Sequence, residues 1–116
     1  MWQGTSASRR ATSRIEAPED VWVLWQDNGR DDVSRVLDMS LEGIFIETSK
    51  PRPAGAVTRL HFLVPEGQIR ADAVVRHAKP DNGIGLKITA VRQEDRSHLA
   101  ALMRRLRGLS RFRGAA

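Results

Sequence analysis

The sequence predicts a mainly β domain in which about six short antiparallel strands are followed by one C-terminal helix. Apolar and polar residues alternate over several short segments, and turn residues such as Pro, Asn and Gly separate these segments. After Ala90 a helical period replaces the alternation. Short strands at regular spacing followed by one helix favour a small barrel, with the helix covering an open end or face. The strands are expected at 21–25, 33–37, 44–46, 56–64, 69–77 and 84–88.

The first two predicted strands should form a hairpin. The run from Val21 to Trp25 is β-branched and aromatic, and Asp27, Asn28 and Gly29 follow it. An Asn-Gly pair between two apolar runs is a strong short-range signal for a hairpin turn. The next strand therefore returns antiparallel to the first.

The later strands alternate clearly enough to predict their faces. The strand at 56–64 carries its even-numbered residues on one face, and the next strand does the same with the odd-numbered residues 69–75. Gly83 and Gly85 in the last strand are interpreted as a bend in that strand.

One amphipathic helix is predicted at the C-terminus. Its apolar residues recur at helical spacing, namely Leu99, Leu102, Met103, Leu106 and Leu109. Glu94 and Asp95 fall in the first turn, where the helix dipole favours acids, and arginines fall in the last turn, where it favours cations.

The length of 116 residues suits one domain with a modest core. Residues 1–14 are polar and rich in Ser, Thr and Arg, which predicts a flexible arm. The barrel and helix are expected over 15–107, and 108–116 are expected to form a basic tail. The N-terminal stretch does not resemble a secretory leader, and no window of the sequence has the length and apolar character of a transmembrane helix. Because the chain has no cysteine, disulfides and thiolate metal sites are excluded and a cytoplasmic location is favoured.

The sequence lacks the common catalytic motifs, so no enzymatic activity, metal centre or cofactor is predicted. No Gly-x-Ser-x-Gly elbow and no His-x-x-x-His pair is present. The histidines, His61, His77 and His98, are spread over two predicted strands and the helix, whereas a metal site needs three or four converging ligands. A pair of carboxylates brought together only by folding remains open.

Two short motifs carry the functional prediction, and the first is on the arm. Arg10 and Arg14, with Arg9 directly before them, form an Arg-Arg-x-x-x-Arg sequence. The chain has 16 arginines among its 19 cationic residues. About two Arg-x-x-x-Arg pairs are therefore expected by chance, so this spacing alone is weak evidence.

The second motif, Asp-x-Ser-x-x-Gly, is formed by Asp38, Ser40 and Gly43 between two predicted strands. Its chance expectation in a chain of this composition is only about 0.04, which makes it much the sharper of the two. The same residues also suit a tight turn, in which Asp and Ser bond to nearby backbone amides and Gly takes a positive φ. A structural and a functional interpretation therefore both remain open for the motif taken alone.

Taken together, the two motifs resemble those of the PilZ domain family. The resemblance covers about residues 8–107 and includes the glycine-rich strand Gly83–Ile88 and the start of the helix, Gln93–Arg96. It implies a six-stranded antiparallel barrel with a C-terminal helix, acting as a receptor for the bacterial second messenger cyclic di-GMP. It also implies that Arg10 and Arg14 bind phosphates and guanine edges, with Arg9 as a further cation. The arm would then become ordered when the ligand binds.

The resemblance implies roles for the second motif as well. Asp38 would accept hydrogen bonds from guanine N1–H and N2–H, a pattern that adenine does not present, and Ser40 would add a hydroxyl beside it. Gly43 would let the backbone approach the ligand closely. Arg76, on the outward face of a late strand, is a further candidate that would stack on a base, although an ordinary surface arginine fits equally well.

Two other functions stay open at this point. A basic barrel that binds single-stranded nucleic acid would explain the arginines near the C-terminus, but such proteins use several surface aromatics and this chain has no Tyr, three Phe and three Trp. A PilZ-like module that has lost its ligand would bind protein only. For the receptor, a downstream protein partner is expected, and two chains could pair around the ligand.

Overall fold

A computed structural model describes residues 15–27, 29–50, 52–79 and 83–115. Its elements follow the predicted order of strands and then a helix. Within these ranges the strands are β1 (Ile15–Glu16), β2 (Trp22–Asp27), β3 (Arg30–Met39), β4 (Gly43–Glu47), β5 (Val57–Leu63), β6 (Ile69–Lys79) and β7 (Gly83–Val91). A 3₁₀ turn over Gln93–Asp95 leads into the helix α1 (Arg96–Ala115).

Six of these strands close into one antiparallel barrel. β2 pairs with both β3 and β5, and the ladder then runs through β6, β7 and β4 back to β3. The prediction of a mainly β, six-stranded barrel with a C-terminal helix is confirmed. The short strand β1 is an addition, with Ile15 opposite Met39 and Glu16 opposite Asp38. Two residues carry too little alternation for such a strand to be predicted from sequence.

The predicted hairpin and strand faces are also confirmed. Asp27 pairs with Arg30, so two residues close the turn, and Gly29 has a φ of 77°, a region that favours glycine.

On β5 and β6 the residues predicted to share a face are buried: Thr58, Leu60, Phe62, Ile69, Ala71, Ala73 and Val75. The alternation therefore predicted the inside of the barrel correctly at these two strands.

Trp25 on β2 is the largest fully buried side chain among the described residues. Its indole N–H donates to Ser34 Oγ at 2.9 Å, so the buried polar atom has a partner. The Arg52 guanidinium lies over the ring, 4.4 Å from its centroid, and Arg52 Nε is 3.0 Å from a carboxylate oxygen of Asp27. The burial of Trp25 is thus combined with a cation–π contact and a buried ion pair.

The helix α1 packs its apolar stripe into the same core, where Leu102, Met103 and Leu106 are fully buried. The backbone remains helical through 108–115, a segment that was predicted from the sequence to be a separate basic tail. None of the described helices combines the length and the apolar character that crossing a membrane would need.

Two ion pairs attach the end of the barrel to the helix. Arg70 Nε on β6 donates to Asp95 Oδ2 at 2.8 Å, and Arg105 on α1 pairs with Glu66 in the β5–β6 turn. The hydrogen bond from Arg70 holds the pKa of Asp95 below its ordinary value, and the hydrogen bond from Arg105 does the same for the pKa of Glu66; desolvation opposes both shifts. A carboxyl group whose pKa is lower in the folded state than in the unfolded chain stabilises the fold at pH values above its pKa in the unfolded chain.

We therefore expect the unfolding free energy to fall as the pH drops from about 5 to about 3, because carboxylates of the unfolded chain bind protons in this range before Asp95 and Glu66 of the folded state do. The urea midpoint measured across this range tests the expectation. Asp95→Asn removes one of the two lowered carboxyl groups, so its midpoint should be lower at pH 7 and should change less with pH. A variant whose midpoint falls as steeply as that of the parent would contradict this account.

Candidate functional site

Two cavities on the outer surface of the barrel border the Asp-x-Ser-x-x-Gly segment. The first, here called the Asp38 cavity, has a volume of about 550 Å³ and is lined by Glu16, Ala17, Pro18, Glu19, Arg35, Leu37 and Asp38. The second, the Ser40 cavity, has a volume of about 470 Å³ and is lined by Ser40, Glu42, Gly43, Arg76, His77, Gly85, Leu86 and Lys87. Only Met39 separates Asp38 from Ser40 in the chain, so the two cavities approach each other at this segment.

A β-bulge in β3 places Asp38 outside the core. The pairing register with β4 shifts between Val36 and Asp38. Val36 and Met39 are both fully buried although they are three residues apart, so Leu37 and Asp38 between them are both kept out of the core. Asp38 is half-buried. Its carboxylate therefore belongs to the wall of a cavity and not to the barrel interior.

The turn after β3 buries Ser40 and bonds it to the backbone. Its N–H donates to the Gly43 carbonyl at 2.8 Å, and its Oγ accepts from the Glu42 N–H at 3.3 Å. Because the oxygen accepts within the turn, the hydroxyl hydrogen is available as a donor. The tight-turn interpretation is correct for Ser40. It is wrong for Gly43, which has no positive φ because it already begins β4, paired with Lys87.

A second bulge, in β6, brings Arg76 to the Ser40 cavity. The register with β7 shifts between Val75, which is buried, and His77, so Arg76 and His77 are both exposed. Arg76 makes no hydrogen bond or ion pair with any residue that the structure describes. Three of the residues predicted from sequence, Ser40, Gly43 and Arg76, thus line one cavity, and Asp38 lines the other.

A ring contact between Phe45 and His77, which was not predicted, lies beside the Ser40 cavity, and His77 lines that cavity. Phe45, Gly85 and His77 lie opposite one another on the neighbouring strands β4, β7 and β6. The rings of Phe45 and His77 stack with centroids 6.1 Å apart and planes at 21°. A Cβ on Gly85 would come within 2.5 Å of the His77 ring, so this glycine makes the stack possible. Gly85 therefore serves a close approach of the His77 ring.

The cavities also contain cations that sequence reasoning missed. Lys87 lines the Ser40 cavity together with Arg76, facing the single acid Glu42. Arg35 lines the Asp38 cavity among three acids. Neither cation could be identified from the sequence. Lys87, for example, lies beside the motif only because β7 pairs with β4, which places it opposite Gly43. The remaining predicted site residues, Arg9, Arg10 and Arg14, lie outside the described residues.

Other kinds of site find little support in the part of the chain that the structure describes. It contains no group of three or more His, Asp or Glu side chains that could hold a metal ion. Of the Trp and Phe side chains whose burial the structure describes, Trp22 is exposed, while Trp25, Phe45 and Phe62 are buried. A stacking platform for several bases of a nucleic acid strand is therefore not present on the described surface.

The motifs and the barrel can be compared with known proteins. The PilZ domain family matches residues 8–105, a range that contains both motifs. The chain belongs to the PilZ domain family. The resemblance seen in the motifs is thereby confirmed. PilZ domains are in general ligand-binding receptors, so membership supports a cyclic di-GMP receptor domain.

Two solved structures resemble this PilZ domain. One is MrkH, described as a c-di-GMP-dependent transcription regulatory factor, with a TM-score of 0.61, 16% identity, and coverage of 82% of this chain and 49% of that chain. The other is MrkH of K. pneumonia in its apo state, with a TM-score of 0.60, 17% identity, and coverage of 86% and 52%. The chain spans about half the length of these structures, and at this identity the likeness shows the fold alone. No curated protein sequence matches the chain.

Proposed function

We propose that this PilZ domain is a receptor for cyclic di-GMP, which it binds where the Asp38 cavity and the Ser40 cavity approach each other. One observation carries the proposal: in a member of this family, the Asp-x-Ser-x-x-Gly segment borders two cavities on the outer barrel surface. The proposal assigns no catalytic step and no cofactor. It includes the cytoplasmic location expected from the lack of cysteine.

The chemistry of the ligand explains the arginines. Cyclic di-GMP is a dianion with two guanine bases, so its receptor has to neutralise phosphates and read guanine edges. Arg10 and Arg14 would supply the planar fork donors for both tasks, and Arg9 a further cation. Strand β1 supports this role, because Ile15 lies opposite Met39 and five residues of chain span at most about 18 Å. The arm therefore joins the barrel beside the motif.

The second motif would read one guanine and contact the backbone of the ligand. Asp38 would accept from N1–H and N2–H, and Ser40 would donate its hydroxyl hydrogen. Gly43 would allow close approach, and Arg76 would stack on a base face, with Lys87 adding positive charge beside it. The described lining of the Ser40 cavity has two cations and one acid, and this excess of positive charge favours binding of the ligand's phosphates there.

The proposal also includes a change in the arm. We expect residues 1–14 to become ordered when their arginines bind the ligand, because they are rich in Ser, Thr and Arg and have no apolar period that would pack them on the barrel without it. Tryptic cleavage after Arg10 and Arg14 should then slow when cyclic di-GMP is present. A downstream protein would then contact the ordered arm. Light scattering with and without cyclic di-GMP would show whether two chains pair around the ligand.

Calorimetric titration of the purified chain with cyclic di-GMP, GTP and single-stranded DNA at two salt concentrations tests the function. We expect saturable micromolar or tighter binding of cyclic di-GMP only. Steeply salt-dependent DNA binding would instead support a nucleic-acid-binding barrel. Absence of binding to all three would support a module that contacts protein alone, and either of these outcomes would overturn the receptor proposal.

A further inference from the structure

Arg35 is a half-buried arginine with no polar partner among the residues that the structure describes. Its Nε is buried and has no hydrogen-bond partner, and the side chain forms no ion pair with any described residue. The other described arginines that lack an ion pair are exposed: Arg30, Arg59, Arg76, Arg96, Arg104 and Arg107. A buried donor of a charged group without a partner is costly, so its presence here indicates a partner that the described residues do not supply.

Arg35 lies close to Asp38, in the same cavity. Both residues are on β3 and both line the Asp38 cavity, three residues apart and so about 10 Å apart along the strand. The cavity also contains the carboxylates of Glu16 and Glu19. The described lining of the Asp38 cavity has one cation and three acids. This balance disfavours a phosphate, whose binding would need an excess of positive charge. It suits a neutral group that carries hydrogen-bond donors along one edge and acceptors along another.

Guanine is such a group, and we infer that Arg35 is a guanine-reading residue of the ligand site. With Asp38 accepting from N1–H and N2–H, Arg35 would donate its guanidinium fork to O6 and N7 of the same base. The two residues would then select guanine over adenine from both edges, because adenine presents an amino group where guanine presents O6. This inference rests on the proposed function, since it assumes that cyclic di-GMP is the ligand.

The test combines a variant with an altered ligand. Cyclic di-GMP and its 7-deazaguanine analogue, which lacks the N7 acceptor, are titrated into the parent chain and into Arg35→Met, which keeps the apolar stem of the side chain. We expect Arg35→Met to bind cyclic di-GMP about tenfold more weakly or worse, given the size of an arginine–guanine contact. The analogue should bind more weakly than cyclic di-GMP to the parent, and this difference in affinity should be clearly smaller in Arg35→Met, which lacks one of the donors to N7.

Arg59→Met is the matched control, because Arg59 is an exposed arginine on β5 with no ion pair and should leave the affinity unchanged. Unchanged affinity of Arg35→Met, or a penalty for the analogue that is as large in it as in the parent, would overturn the inference. If Arg35→Met does not fold, Arg35→Lys keeps the charge but not the fork and should show the same loss. Failure of the parent to bind cyclic di-GMP would instead refute the proposed function.

Discussion

Replacing Asp38 by alanine is expected to weaken cyclic di-GMP binding by at least about 100-fold while the chain remains folded. The variant removes the acceptor of two guanine N–H groups, and hydrogen bonds to a charged partner contribute about 1.5–3 kcal/mol each. The loss should be specific to the ligand, because Asp38 is kept out of the core by the bulge in β3. Calorimetry measures the affinity, and the melting temperature verifies the fold. Arg10→Ala and Arg14→Ala should show losses of a similar order.

Asp72→Ala provides the matched control for this variant. Asp72 is also an outward-facing aspartate, on β6, but it lines neither of the two cavities. Its removal should leave the affinity unchanged. Equal losses in the two variants would point to a general effect on the fold and not to a contact of Asp38, and an unchanged affinity of Asp38→Ala would remove Asp38 from the site.

The largest expected effect on stability comes from Trp25→Ala. Trp25 is completely buried, its N–H bonds Ser34, and its ring carries the Arg52 guanidinium. Truncating a buried Trp costs about 3–5 kcal/mol, which is a large share of the total stability of a small domain. The change would also remove the N–H donor of the Ser34 hydroxyl and the cation–π contact of Arg52, which keeps its ion pair with Asp27. Urea unfolding followed by circular dichroism gives the difference in the free energy of unfolding.

The same strand offers the control. Trp22 lies three residues earlier on β2 and is 42% exposed on the outer face. Trp22→Ala should therefore cost less than about 1 kcal/mol, in the range of surface substitutions. If the two variants lost the same stability, the division of β2 into an inner and an outer face would be wrong.

Strand alternation and turn residues were enough to predict the barrel. Even-numbered residues on β5 and the Asn-Gly turn before β3 follow local rules of side-chain direction and backbone conformation, so the sequence reveals them directly. The apolar stripe of α1 was predicted in the same way. The extension of the helix through 108–115 was not, because this segment is rich in Gly, Ser and Arg, a composition that also suits a tail, although Leu109 continues the apolar stripe.

The site could be predicted only in part. The motif Asp38, Ser40 and Gly43 was found because its residues are close in sequence. The bulges beside Asp38 and Arg76 depend on the register of a neighbouring strand, and a register is not visible in one strand alone. The same reason hid Lys87, which lies beside Gly43 only after β4 and β7 have paired.

The position of the site has a consequence for signalling. Both cavities are on the outer surface, and the core behind them is continuous from the strands to the helix. Ligand binding therefore needs no opening of the barrel. The change on binding is expected at the surface, where a second protein can contact it.

The most direct test of the central claim is an NMR titration of the ¹⁵N-labelled chain with cyclic di-GMP. The account predicts that the largest amide shifts occur in 38–43 and at Arg35, Arg76, Gly85 and Lys87, while the buried helix residues around Leu102 change little. Saturable shifts concentrated elsewhere, such as around Arg59 and Asp72 on the outer face of β5 and β6, with 38–43 unchanged, would contradict it.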